Sequence, residues 1–248
     1  MGLWLAALSG LIAGGALLLG SAIAWFVEIP KYIVAAIMAL GAGVLISTLA
    51  YELVEEAADI GGLLPTIFGF LGGAIIYIVA DRLVSRPRSA SPDEGSANIV
   101  VRRAAGGSGV VIAIGALIDG IPESIVMGLS VLQGALSIPI VAAIAISNIP
   151  EGLSSTAQLK AGGKSGWWIA RLWLGIAAVT VFASVLGFVA FQSASPNLIA
   201  VITTIAAGGL LAMVCNTMIP EAFDEQRALT GLWATIGFLG AFVLHEVA

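Results

Sequence analysis

The chain has 248 residues, of which 59% are hydrophobic and only 10% are charged, and its mean hydropathy is +1.07. This composition excludes a soluble globular domain of the same length and predicts an integral membrane protein. The formal net charge of −5 says little about partners, because the position of each charge matters more than the sum. We predict the lipid bilayer as a partner and no nucleic acid. The single cysteine, Cys215, can form no internal disulfide, and its apolar neighbours predict a buried thiol.

Eight apolar runs are each long enough to cross a bilayer as a helix. They are continuously apolar, whereas the strands of a membrane barrel would alternate in polarity, so the predicted fold is all-α. The first run has no basic segment before it, unlike a signal peptide, and we expect it to remain as a transmembrane helix. The predicted spans are residues 3–26, 32–54, 62–83, 108–131, 137–159, 167–191, 197–220 and 229–246.

The one long connection, residues 84–107, is polar and rich in small residues, and it predicts a disordered loop. The chain is then a single transmembrane domain over residues 1–248. Its parts are helices 1–3 at about 3–83, the loop, the central helices 4–5 at about 108–159, and helices 6–8 at about 167–246.

The basic residues lie on one side of this topology. With eight spans, all ten Lys and Arg residues fall in or beside the four loops of one side. The positive-inside rule places that side in the cytoplasm and both termini outside, in a multi-pass protein of the cell membrane. These residues are Lys31, Arg82, Arg86, Arg88, Arg102, Arg103, Lys160, Lys164, Arg171 and Arg227.

Residues 118–124 (IDGIPES) of helix 4 and 146–152 (ISNIPEG) of helix 5 share one pattern. Each has an oxygen-bearing side chain followed four residues later by a carboxylate. Residues four apart share a helix face, so Asp119 stacks with Glu123 and Ser147 stacks with Glu151. Carboxylates are costly in hydrocarbon, and two copies of a costly pattern predict a cation held between the two helices.

A proline precedes each of these glutamates. Pro122 and Pro150 have no N–H, so the carbonyls of Ile118 and Ile146 lose their helical partners and become further oxygen ligands for a cation. The alternative is a pair of proline kinks with protonated or mutually paired acids. That alternative is disfavoured because no Lys or Arg lies near the motifs and because the pattern occurs twice.

An internal repeat relates helices 2–3 to helices 7–8. Residues 47–56 align with 216–225 at an offset of 169, and residues 69–73 align with 237–241 at an offset of 168. Five helices separate equivalent members, so the two copies run in opposite directions through the membrane. Inverted repeats around a central pair are a transporter architecture with the substrate site near the midplane.

The same repeat predicts acidic clusters at both mouths of a pathway. Glu52 and Glu55 end helix 2 on the outer side, and Glu221 and Asp224 end helix 7 on the cytoplasmic side. Acids at both mouths would concentrate cations. Solvated helix ends are the alternative reading of these residues.

These features resemble the ZIP (Zrt/Irt-like) family of divalent metal transporters. The resemblance implies an eight-helix, 3+2+3 inverted-repeat bundle in which Glu123 and Glu151 ligate the metal and can bridge two ions. It places Asp119 and Ser147 where the family motif has histidines, and Asn148 at an asparagine that can serve a second metal position. Because the one histidine, His245, ends helix 8, the site lacks imidazole. An all-oxygen site suits Mn²⁺, Mg²⁺ or Fe²⁺ better than Zn²⁺, although the resemblance favours zinc.

We therefore predict a transporter, not an enzyme, that moves a divalent metal cation into the cytoplasm. The metal is the substrate, no cofactor is expected, and protonation of a central acid is the hypothesis for release. One alternative is an intramembrane metal-dependent hydrolase, which would usually need histidine ligands. Another is a proton- or sodium-coupled solute carrier, which would need a roomier pocket. The sequence leaves the oligomeric state open, a homodimer included.

Overall fold

The computed structural model describes residues 2–84, 109–132 and 137–247. Within these ranges all regular elements are helical, and eight helices are long and apolar enough to cross a membrane. The predicted all-α fold and the number of spans are confirmed. The predicted loop at 84–107, with Arg86, Arg88, Arg102 and Arg103, lies almost wholly outside the described residues. The helices are α1 (Gly2–Phe26), α2 (Lys31–Gly61), α3 (Leu63–Val84), α4 (Gly109–Leu132), α5 (Ile138–Ala161), α6 (Gly166–Ala190), α7 (Pro196–Gln226) and α8 (Leu229–Val247).

Two helices extend further than predicted, and each contains a π-helical segment. In α2 the segment is Leu49–Glu55, and in α7 it is Val214–Met218. The helix continues beyond each segment. Glu52 and Glu55 lie inside the first segment, whereas Glu221 and Asp224 lie on the helical turns that follow the second. π segments inside α-helices occur often at functional sites, and here they occupy the two helices that the repeat makes equivalent.

Serine side chains define where three of the helices begin. Ser137, Ser165 and Ser195 are the N-caps of α5, α6 and α7, and each hydroxyl accepts a hydrogen bond from a backbone N–H of the first turn. These caps satisfy donors that a helix start would otherwise leave unpaired. They explain why short polar joints are enough to separate consecutive spans.

The packing follows the predicted inverted repeat. Helix α2 packs against α8, and its counterpart α7 packs against α3. A Cβ on Gly43 or Gly237 would overlap the backbone of the facing helix in the first pair, and the same holds for Gly73 and Gly208 in the second. Close approach at small residues is how membrane helices gain packing energy. Helices α1, α4, α5 and α6 pack together as a second group, joined to the first by α5 on α2 and by α4 on α7.

Many large apolar side chains face outward, as the lipid-facing surface of a multi-pass membrane protein requires. Cys215 belongs to this surface: it is exposed, so the prediction of a buried thiol is wrong. In a membrane protein an apolar run faces lipid as readily as core. We call the end of the bundle that carries the described Lys and Arg residues the basic face, and the opposite end the Glu52 face.

Candidate functional site

A cavity of about 690 Å³ enters the bundle from the basic face and reaches its middle. Residues from α1, α2, α4, α5 and α7 line it. Its inner end is lined by the first and last residues of both predicted pairs, Asp119, Glu123, Ser147 and Glu151. As expected for residues four apart on a helix, the two members of each pair lie on the same helix face. Both pairs face the same cavity.

Asp119 and Glu123 are buried on α4, with 8% and 1% of their surfaces exposed, whereas Glu151 on α5 is partly exposed. The charge of Glu151 interacts with those of Asp119, Glu123 and Glu221. Like charges in a low-dielectric interior repel, so this arrangement is unfavourable unless a proton or a cation neutralises it.

Glu123 is the most unusual of these acids. Neither carboxylate oxygen has a hydrogen-bond partner among the described residues, although the side chain is 1% exposed. Burying a charged carboxylate without a partner destabilises a folded protein by roughly several kcal/mol. A buried carboxylate that lacks an internal partner and borders a cavity is suited to bind a ligand, such as a cation, that enters from outside the protein.

The side chains of the second motif, residues 146–152, face two different surroundings, the cavity and helix α1. Ser147 and Glu151 face the cavity, and the Ser147 hydroxyl donates to the Ile144 carbonyl at 3.0 Å. Asn148 is 1% exposed and does not line the cavity; its Nδ2 donates to the Ala13 carbonyl of α1 at 3.2 Å. One face of α5 therefore serves the cavity, and the adjacent face binds α1.

Glycines complete the contact between α5 and α1. A Cβ on Gly152 would overlap the Leu17 carbonyl oxygen, and a Cβ on Gly20 would overlap the Ile149 carbonyl oxygen. The motif 146–152 thus supplies packing residues as well as acidic ones. The carbonyls that the prolines were expected to free do not reach the cavity, since neither Ile118 nor Ile146 is among the described residues that line it.

The predicted pathway acids separate into two groups. Glu221 and Asp224 line the cavity near its mouth, with Ser154 donating to Glu221 Oε1. Glu52 and Glu55 lie at the Glu52 face and do not line the cavity. Glu55 is exposed, whereas Glu52 is bonded on both oxygens, to Ser137 Oγ at 2.9 Å and to His245 Nδ1 at 2.7 Å.

Part of a cluster of buried apolar side chains lies on the stretches of helix between Glu52 and the central acids, Asp119, Glu123 and Glu151. It is built from the halves of α2, α4 and α5 that lie toward the Glu52 face, and it includes Leu45, Leu49, Met127, Ile140 and Ile144. The cavity that the central acids line opens to the basic face, and neither Glu52 nor Glu55 lines it.

Two features of the site were not foreseen. The bond between His245 and Glu52 joins residues far apart in the chain, and no local pattern signals it. Thr217 lines the cavity, and its hydroxyl shares a hydrogen bond with Tyr77 at 3.3 Å; this bond also joins residues far apart in the chain.

Among the described residues, no three His, Cys, Asp or Glu side chains are grouped closely enough to hold a metal ion. The acids that border the cavity are thus near one another without forming a complete ligand sphere. A cation bound there would complete its sphere with water or with small movements of α4 against α5.

A comparison with models of known protein families gives a match. The family model described as ZIP Zinc transporter matches residues 85–245, which is more than half of the chain and includes both motifs. No curated protein matches the sequence. The matched region covers the two central helices and the three that follow them. This chain therefore belongs to the ZIP family of divalent metal transporters.

Proposed function

We propose that this protein carries a divalent metal cation across the membrane and releases it into the cytoplasm. Asp119, Glu123 and Glu151 replace the hydration shell of the ion at the inner end of the cavity, with the Ser147 hydroxyl beside them. The observation that carries this proposal is the buried Glu123 carboxylate, which has no hydrogen-bond partner among the described residues and borders the same cavity as Asp119 and Glu151.

Charge and the side to which the cavity opens support the proposed direction. The described basic residues lie on the face to which the cavity opens, and the positive-inside rule assigns that face to the cytoplasm, with both termini outside. Glu221 and Asp224 line the way from the central acids to that face. In our proposal they hold the ion on its way out, and protonation of a central acid promotes its release.

The donor set guides the choice of ion. Oxygen ligands favour Mn²⁺, Mg²⁺ or Fe²⁺, while carboxylates also bind Zn²⁺. We propose that the site accepts zinc together with harder ions and discriminates between them less than a histidine site would. Asn148 lies on the α1 side of α5, and we give it the role of holding α5 in place.

Uptake into proteoliposomes tests the proposal. Purified protein is reconstituted and loaded with Zn²⁺ or Mn²⁺ from outside, and uptake is compared for the parent, for Glu123→Ala with Glu151→Ala, and for Ser130→Ala. Ser130 is a buried residue of α4 that bonds to its own helix and serves as the matched control. We expect uptake to be lost in the double variant and kept in the control. Unchanged uptake in the double variant would overturn the site assignment.

The size of the cavity supports one further candidate. A volume of about 690 Å³ is that of a small-molecule pocket, so a proton- or sodium-coupled carrier of an organic solute is the second candidate. Uptake of labelled Mn²⁺ separates the two functions. In the first case the label accumulates and unlabelled divalent metals compete with it, whereas in the second case the label does not accumulate.

A further inference from the structure

One carboxylate ties three helices together at the Glu52 face. Glu52 lies in the π segment of α2, its Oε1 is 2.7 Å from His245 Nδ1 of α8, and its Oε2 accepts from Ser137 Oγ of α5 at 2.9 Å. The His245 ring also stacks on Tyr51, with centroids 5.6 Å apart and planes inclined by 29°. Stacking on Tyr51 therefore fixes the orientation of the imidazole ring, and the hydrogen bond to Glu52 fixes the position of its Nδ1 atom.

The equivalent residue at the other end of the bundle has a different surrounding. Glu221, which aligns with Glu52 in the repeat, accepts a hydrogen bond from Ser154, also on α5, but it lines the open cavity. Helix α5, which carries Ser147 and Glu151, is thus bonded at both ends to glutamates that the repeat makes equivalent. At one of these bonds the glutamate, Glu221, lines the cavity, and at the other the glutamate, Glu52, does not.

Two threonines show the same contrast. Thr217 lines the cavity, and its hydroxyl is bonded to Tyr77. Thr48, its repeat equivalent, is 5% exposed, and its hydroxyl has no hydrogen-bond partner among the described residues. A buried, unpaired hydroxyl is unfavourable, and it would be relieved if Thr48 came to line a water-filled path, as Thr217 does now.

We infer that His245 and Ser137 are positioning residues for transport: they hold Glu52 so that the Glu52 face stays closed while the cavity is open to the basic face. This inference rests on the proposed function, in which the ion must reach the central acids from the Glu52 face. When the two bonds break, α5 separates from α2 and α8 at this end, and Glu52 becomes free to meet an incoming cation.

The test measures access to Thr48 and Thr217 without using metal. Each is replaced by cysteine in a Cys215→Ser background, and the rate of reaction with a water-soluble thiol reagent is measured in detergent, where both faces meet solvent. We expect His245→Ala to increase the rate at Thr48→Cys and to decrease it at Thr217→Cys. The change should be on the order of tenfold, as expected when a hydrogen bond to a carboxylate is lost.

Three further variants keep the test decisive. Ser137→Ala should move both rates in the same directions and does not alter α8. His245→Asn keeps an N–H close to the position of Nδ1 and should restore the parent rates. Thr235→Val removes an exposed hydroxyl of α8 that bonds only within its own helix, and it should leave both rates unchanged.

Unchanged rates in both His245→Ala and Ser137→Ala would overturn the inference, as would rates that rise together at both reporters, since that result indicates general loosening. The proposed function fails in a different experiment, the uptake of metal by the Glu123 and Glu151 variants. The two failures are therefore distinguishable.

Discussion

Asp119 of α4 and Glu151 of α5 line the same cavity, and their charges interact across it. Neither helix has a Lys or Arg within its motif that could neutralise this pair. In a medium of low dielectric constant the repulsion is reduced most effectively by an ion of double positive charge placed between the two carboxylates. In the function proposed above, such an ion would account for acids at membrane depth in a chain that is otherwise strongly apolar.

Replacement of Glu123 by Gln separates ligand chemistry from packing. The amide keeps the shape of the side chain and removes a buried charge-bearing group, so the metal-free protein should be no less stable than the parent. Metal affinity should fall by roughly tenfold to a hundredfold, the value of about 1.5–3 kcal/mol for a lost charged contact. Metal-dependent melting curves measure both quantities, and a metal response equal to that of the parent would remove Glu123 from the site.

Histidines introduced at the two variant positions should change the preference of the site. Asp119→His with Ser147→His adds two imidazole ligands of the kind that zinc prefers. We expect apparent zinc affinity to rise relative to manganese by on the order of tenfold, which corresponds to about 1.4 kcal/mol. Competition between the two ions for binding to the purified variant measures this ratio. A ratio unchanged from the parent would show that these positions do not contact the ion.

Asn148→Ala distinguishes a packing residue from a ligand. Loss of the hydrogen bond to the Ala13 carbonyl should reduce stability by about 1 kcal/mol and leave metal affinity close to that of the parent. Stability is read from the melting temperature without metal, and affinity from its increase on adding metal. If instead the metal response disappears while the metal-free melting temperature is kept, Asn148 acts as a ligand.

Two glycines of α1 provide a matched pair for helix packing. A Cβ on Gly20 would overlap the Ile149 carbonyl oxygen, whereas a Cβ on Gly15 would meet nothing within 4 Å. Gly20→Ala should therefore destabilise the protein by about 1–3 kcal/mol, and Gly15→Ala should have little effect. Thermal unfolding of both variants measures the difference. Equal melting temperatures would show that α1 and α5 are not in close contact at Gly20.

Hydropathy was sufficient to predict the eight helices, because every span must satisfy its backbone internally and hide it from lipid. It could not predict that α2 reaches Gly61 or that α7 reaches Gln226. The last turns of both helices are acidic, and hydropathy does not show that a helix continues beyond its apolar run. The burial of Cys215 was predicted wrongly for a related reason: in a membrane protein, an apolar sequence does not tell core from lipid-facing surface.

Helix periodicity was sufficient to predict which residues of the candidate site share a helix face. The spacing of Asp119 with Glu123 places two acids on one face, and the repeat of the pattern in α5 indicated a second face turned toward it. Periodicity does not say which neighbour each face meets, so it could not assign Asn148 to α1. The bond between Glu52 and His245 depends on how α2 packs against α8, and only the three-dimensional arrangement reveals it.

The central claim is that the acids of α4 and α5 together bind one divalent ion. The most direct test is the melting temperature of purified protein with and without Mn²⁺ or Zn²⁺, for the parent and for Asp119→Ala. At a hundredfold excess over Kd, a bound ion stabilises the folded state by about 2.7 kcal/mol, which corresponds to several degrees in a chain of this length. The account predicts this increase in the parent and none in Asp119→Ala. An equal increase in both proteins would contradict it.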